Sequence, residues 1–189
     1  MTSGKNLSEN SVKAACDVGG WEVPCREKTW VRQRVRFSEP FYLICPNIRS
    51  LYNVGALFRT ADALNITRVF LCGYTGCPPR KAIHKVALGA EDAVPWVYRA
   101  QAWRVVEQLQ ARGVQVVALE LTSNSVDILD FEPRFPLALL VGNEVQGLSP
   151  ALLKRAERVV HLPMHGVKES LNVAVAFGAA GYAFNRWRR

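Results

Sequence analysis

Five polar side chains stand where chemistry is possible: Asn53, Arg59, Glu144, Ser170 and Asn172. Glu144 belongs to a polar, glycine-bearing loop, Asn143-Glu144-Val145-Gln146-Gly147, which begins where the apolar run Leu137–Val141 breaks off at Gly142. Ser170 and Asn172 follow a second loop, Pro163 to Lys168, which closes the apolar run Val159–Leu162. Glycine lets a backbone approach a ligand closely, and a helix start leaves N–H groups free to bind one. Arg59 falls off the apolar stripe of the helix pattern around it. Its guanidinium is therefore open to a phosphate or a ribose, or to a surface pair with Asp62 three residues on.

Two strand ends, each presenting a loop that leads into a helix, form the arrangement in which open α/β sheets bind ligands. The rest of the chain supplies such a sheet. Phe41–Cys45 reads as a strand. Asn53–Leu64 reads as a helix, with Val54, Leu57, Phe58, Ala61 and Leu64 at helical spacing and Asn53 as N-cap. Arg68–Cys72 is the next strand, followed by a loop over Gly73–Pro79, a helical turn near Lys81–Leu88 and a short strand at Val94–Val97. Ala100–Arg112 is a helix ended by Gly113, and Val114–Leu119 a strand. Leu137–Val141 and Val159–Leu162 are strands separated by a helix that Ser149 caps with Pro150 in first position. Ser170 to about Arg186 is the last helix. Its interior holds Gly178 and Gly181 among many alanines. Each glycine costs a helix about 1 kcal/mol against alanine, so something packs closely there, either the chain's own sheet or another subunit. Strands alternating with helices predict a parallel α/β sheet covered by helices.

Composition narrows the partners. The 189 residues carry 24 Lys and Arg against 16 Asp and Glu, a net charge of +8, which points to a polyanion, nucleic acid first. No apolar run approaches the roughly 20 residues that span a bilayer, and Met1 to Gly20 lacks the apolar stretch of a signal peptide. The five cysteines, Cys16, Cys25, Cys45, Cys72 and Cys77, form no CxxC, and the histidines show no metal-ligand spacing. Reduced thiols, no metal, no membrane and a cytoplasmic location are expected. Residues 1–39 read as a basic extension, disordered over its first twenty residues. Between Trp21 and Phe37, Arg26, Lys28, Arg32, Arg34 and Arg36 interleave with Trp30, a pattern suited to phosphates and bases, or to a solvated linker. Neither GxGxxG after the first strand nor GxxxxGK[ST] occurs, which disfavours a Rossmann dehydrogenase and a P-loop NTPase.

Three stretches carry a family resemblance. Asn53-Val54-Gly55-Ala56-Leu57-Phe58-Arg59-Thr60-Ala61-Asp62 resembles motif 1 of the SpoU/TrmH RNA ribose 2′-O-methyltransferases. Leu140-Val141-Gly142-Asn143-Glu144-Val145-Gln146-Gly147-Leu148 resembles motif 2, and Leu162-Pro163-Met164 through Glu169-Ser170-Leu171-Asn172-Val173-Ala174 resembles motif 3. They occur in order, over roughly Pro40 to Asn185. The resemblance implies a SPOUT domain over 40–189: a parallel sheet covered by helices, with a C-terminal deep trefoil knot. It implies S-adenosyl-L-methionine as cofactor, tRNA or rRNA as substrate and a homodimer. By position, the cofactor pocket would use Leu119, Leu121, Gly142, Asn143, Gly147, Leu162, Met164 and Leu171. Asn53, Arg59, Glu144, Ser170 and Asn172 match the catalytic and substrate-binding positions. No Ser–His or Cys–His pair stands in these motifs to activate a ribose hydroxyl. An arginine is too basic to serve as a proton acceptor, so Arg59 would pair with a phosphate and stabilise alkoxide charge. Glu144 would position the ribose or balance the sulfonium, or else cap the N–H groups of its own loop. A protein that kept the fold only to bind RNA is the alternative, against which the intact polar set argues.

Overall fold

The computed structural model describes residues 37–189. In chain order the elements are β1 (Phe41–Pro46), α1 (Leu51–Ala63), β2 (Arg68–Cys72), α2 (Lys81–Ala87), α3 (Ala90–Ala93), β3 (Trp96–Arg99), α4 (Ala102–Gln110), β4 (Gln115–Leu119), β5 (Val126–Asp127), β6 (Leu137–Val141), α5 (Pro150–Leu153), β7 (Arg158–His161) and α6 (Val173–Asn185). The strands form one sheet in the order β3-β2-β1-β6-β4-β7-β5, and every pair is parallel.

The continuous apolar runs follow from that architecture. β1, β2 and β6 are buried along their whole length, because helices cover both faces of the sheet. Phe41, Leu43 and Cys45 point to the layer of α1 and α6, where they meet Leu57, Phe58, Phe177 and Phe184. Tyr42 and Ile44 point the other way, toward Val105, Val106 and Leu109 of α4. Cys45 and Cys72 are buried free thiols, and burial pushes the Cys72 thiol up to about 12.

Several boundaries differ from the sequence expectation. Ser50, not Asn53, caps α1: its hydroxyl accepts the Asn53 N–H at 3.3 Å, so the helix starts a little earlier. The last helix starts at Val173 with Asn172 as its cap, which leaves Ser170 in the preceding loop. β3 begins at Trp96 rather than Val94, because the Val94 N–H closes α3 on Ala90. The short elements α3 and β5 were not anticipated.

Gly181 packs within the chain, but against a helix rather than the sheet: a side chain there would strike Leu64 at the end of α1. Gly178 is looser, its nearest neighbour being the Thr60 methyl at 3.7 Å from an added Cβ. Just beyond α6, Arg188 is buried and donates to the carbonyls of Glu39, Leu64 and Asn65. Burial pulls its pKa down, only partly offset by Glu39. Ser38 donates its N–H to the Arg189 carbonyl, so the segment entering the sheet is tied to the chain's last residues. The basic stretch from Trp21 to Arg36, with Cys16 and Cys25, lies outside the described residues.

Candidate active site

The loop after β6 is a tight ring. Asn143 and Gly147 exchange backbone hydrogen bonds, N–H to carbonyl in both directions, at 3.1 and 2.9 Å. Gly147 sits at φ +63°, and an added Cβ there would run into the Glu120 carboxylate. A Cβ on Gly142 would lie 2.9 Å from the Gly147 carbonyl carbon. Both glycines are therefore required by contact. Inside the ring, the Asn143 side-chain carbonyl accepts the N–H groups of Val145 and Gln146. Its amide donates outward to the Asn47 carbonyl and the Tyr74 hydroxyl.

Glu144 projects from the ring to a different loop. Its carboxylate accepts the N–H of Arg49 at 3.0 Å, the N–H of Ser50 at 3.2 Å and the Asn53 amide at 2.7 Å. Burial works against its charge, but hydrogen bonds from Asn53, Arg49, Glu144's own N–H and Ser50 outweigh it and hold the carboxyl below the usual carboxylate range. The N-terminus of α1 adds a favourable dipole. Asn53 in turn accepts the Asn172 amide at 3.0 Å, while the Asn172 side-chain oxygen caps α6 through the Ala174 N–H. One hydrogen-bonded chain, Glu144–Asn53–Asn172, thus joins three segments that are far apart in sequence.

That chain stands at the mouth of a pocket of about 350 Å³ at the carboxyl ends of β4, β6 and β7. Leu119, Val141, Leu162, Met164 and Leu171 give it apolar walls, and Glu120, Glu144, His161, Ser170 and Asn172 supply polar groups. Such a volume and such a lining suit a small organic ligand. Among the described residues, no group of side chains is arranged to hold a metal ion, and no helix is long and apolar enough to cross a membrane.

Comparison with known proteins places this geometry. A family model described as the SpoU rRNA Methylase family matches residues 40–182. The chain belongs to that family. The tRNA (guanosine(18)-2'-O)-methyltransferase of Aquifex aeolicus is 33% identical to it over 75% of this chain and 67% of that protein. The 23S rRNA (guanosine-2'-O-)-methyltransferase RlmB of Pseudomonas putida is 31% identical over 80% of this chain and 61% of its own length. Among solved structures, the AdoMet-bound rRNA methyltransferase from Sinorhizobium meliloti aligns with a TM-score of 0.73 at 31% identity, covering 80% of this chain and 57% of that one. The chain spans 55–67% of the length of the curated relatives it matches.

Within this SpoU chain, every side chain singled out for the cofactor lines the pocket: Leu119, Leu121, Gly142, Asn143, Gly147, Leu162, Met164 and Leu171. Glu144, Ser170 and Asn172 line it too, and Asn53 joins them through its hydrogen bonds. Arg59 is not brought to them. It lies exposed on α1, about 9 Å further along the axis than Asn53 at 1.5 Å per residue. There it borders a shallow hollow with Ala56, Thr60, Gly178 and Tyr182. Glu144 does cap N–H groups, its own among them, but mainly those of Arg49 and Ser50 in the first loop. Two polar residues of the pocket, Glu120 and His161, were not among the residues singled out from the sequence. Glu120 accepts the Leu148 N–H at 2.8 Å, which braces the ring from below. In sequence it stands between Leu119 and Leu121, the two residues singled out for the pocket. His161 ends β7, and no pattern marks it.

Proposed function

We propose that this chain transfers a methyl group from S-adenosyl-L-methionine to a ribose 2′-hydroxyl of tRNA or rRNA. The observation that carries the reading is the Glu144–Asn53–Asn172 chain: residues of all three motifs converge by hydrogen bonding at one pocket mouth. The pocket fits the cofactor chemically. Its apolar walls suit adenine, and Glu120 and Glu144 complement a cation. The His161 Nδ1 atom, on the same wall, is buried with no hydrogen-bond partner among the described residues, and a buried nitrogen of that kind calls for a ligand. When bound, the cofactor supplies an electrophilic methyl on its sulfonium.

The chain's own residues hold and orient. Glu144 is a poor proton acceptor, because hydrogen bonds to its oxygens hold its carboxyl below the usual carboxylate range and so weaken it as a base. It fixes Asn53 and the first loop, so that Asn53, Ser170 and Asn172 present polar groups to the ribose. Arg59 pairs with an RNA phosphate and stabilises charge developing on the ribose oxygen, with phosphate or water taking the proton. Its distance from the pocket within one chain supports a homodimer in which Arg59 of one copy serves the pocket of the other. The exposed Tyr182 and Val175 on α6, beside small residues, support that face as the contact.

The deep trefoil knot belongs to the same reading. Its support is the insertion of β7 between β4 and β5, past whose connection the chain must leave to reach α6 beside α1. Residues 40–189 form the methyltransferase domain and 1–39 a basic extension that adds affinity for RNA in the cytoplasm. The test is methyl transfer from labelled cofactor to unmodified total tRNA and rRNA, followed by nucleoside mapping. Label in 2′-O-methyl nucleosides is expected, and Arg59→Ala should lose it by about 10²–10³-fold while still binding cofactor. Label in bases only, or none, refutes the assignment.

A further inference from the structure

Tyr74 is 59% exposed, yet it is held at several points. Its N–H donates to the Asn47 side-chain oxygen at 3.2 Å, and its hydroxyl accepts the Asn143 amide at 2.7 Å. Asn47 itself takes a left-handed conformation, φ 59°, and Gly73 beside Tyr74 is at φ 63°. The next residue, Thr75, is buried; its hydroxyl donates to the Cys45 carbonyl at 2.8 Å and accepts the Ile48 N–H at 2.9 Å. The ring is thus fixed at its backbone and at its tip while remaining open to solvent.

Tyr74 adjoins the pocket through Asn143, which is part of the lining. Asn143, which holds the hydroxyl, directly precedes Glu144; Arg49 stands exposed on the loop after β1, and Arg80 at the end of Tyr74's own loop. A pre-ordered, exposed aromatic on a surface that also carries arginines suits single-stranded nucleic acid, whose bases stack on rings and whose phosphates meet cations.

We propose that Tyr74 is a stacking platform for an RNA base next to the nucleotide whose ribose enters the site. The inference rests on the reading of the pocket as an RNA methyltransferase site. Stacking is tolerant of base identity, so Tyr74 contributes affinity and register rather than a choice of base.

The test uses the full chain and the variants Tyr74→Leu, Tyr74→Phe and Tyr74→Trp. The probes are S-adenosyl-L-methionine by calorimetry, unmodified tRNA and rRNA in the transfer assay, and a short single-stranded RNA carrying the fluorescent base 2-aminopurine. Tyr74→Leu is expected to raise KM for RNA about tenfold and to abolish the fluorescence quenching, with cofactor affinity retained. Tyr74→Phe and Tyr74→Trp keep an aromatic face and should keep the quenching and most of the affinity. Tyr74→Leu binding RNA as wild type does would overturn the proposal. So would parallel loss of cofactor and RNA affinity in all three variants, which would make Tyr74 a brace for the Asn143 ring. A wild-type chain that binds cofactor but neither binds nor methylates RNA overturns the parent reading and this one together.

Discussion

Gly55 offers the sharpest test of the packing that sets the site. It lies in the interior of α1, where replacing glycine by alanine is worth about 1 kcal/mol of helix stability. An alanine Cβ there would stand 2.6 Å from the Ile83 carbonyl oxygen, 2.9 Å from the Val86 Cβ and 3.2 Å from the Ala87 nitrogen. Two of those three atoms are backbone of α2, so no rotamer change relieves the clash. The helices must separate by the better part of an ångström, and overpacking of that kind costs about 1–3 kcal/mol. Because backbone rather than a side chain must move, the steric cost falls in the upper part of that range, about 2–3 kcal/mol; it wins over the propensity gain and leaves Gly55→Ala less stable by about 1–2 kcal/mol. For a chain of this length that lowers Tm by about 2–8 °C. Thermal unfolding followed by circular dichroism measures it. A Gly55→Ala protein as stable as wild type or more so would show that α2 yields freely and that close approach does not fix α1.

Glu144→Gln leaves one acceptor oxygen for three donors and turns an amide N–H₂ toward N–H groups; a loss of about 1 kcal/mol is expected, seen as a lower Tm at neutral pH. Because the folded-state pKa of Glu144 lies below its ordinary value of 4.5, its contribution is present above that value and fades as pH falls through the folded one. The Tm gap between wild type and Glu144→Gln should therefore close in acid, and a gap independent of pH would refute the ionic origin. Gly178→Leu has room at its first side-chain atom, so a folded but monomeric variant in sedimentation would support the α1–α6 face as the dimer contact, whereas an unchanged dimer would move the contact elsewhere.

Most strands were legible because they are buried on both faces. Leu137–Val141 reads as an unbroken apolar run, and Arg68–Cys72 as one after its leading arginine, both with the bounds the structure gives them. Helix starts were less so, since Ser50 and Asn53 are both good caps. What separates them is a bend at Asn47 and the pull of a carboxylate that lies 91 residues from Asn53. The motifs led to the pocket lining, but the hydrogen-bonded chain that assembles them is long-range and has no local signature. Tyr74 was invisible for a related reason: it sits in a loop without periodicity, and its meaning comes from Asn47 and Asn143.

The clasp between Arg188 and Glu39 sets the geometry of delivery. It anchors the chain at the amino edge of the sheet, whereas the pocket opens at the carboxyl edge. The six residues of β1 separate the two by about 20 Å. A chain leaving Phe37 covers that distance only after about six or seven fully extended residues. Any cation of the leading segment that meets RNA at the pocket therefore sits well upstream of the clasp.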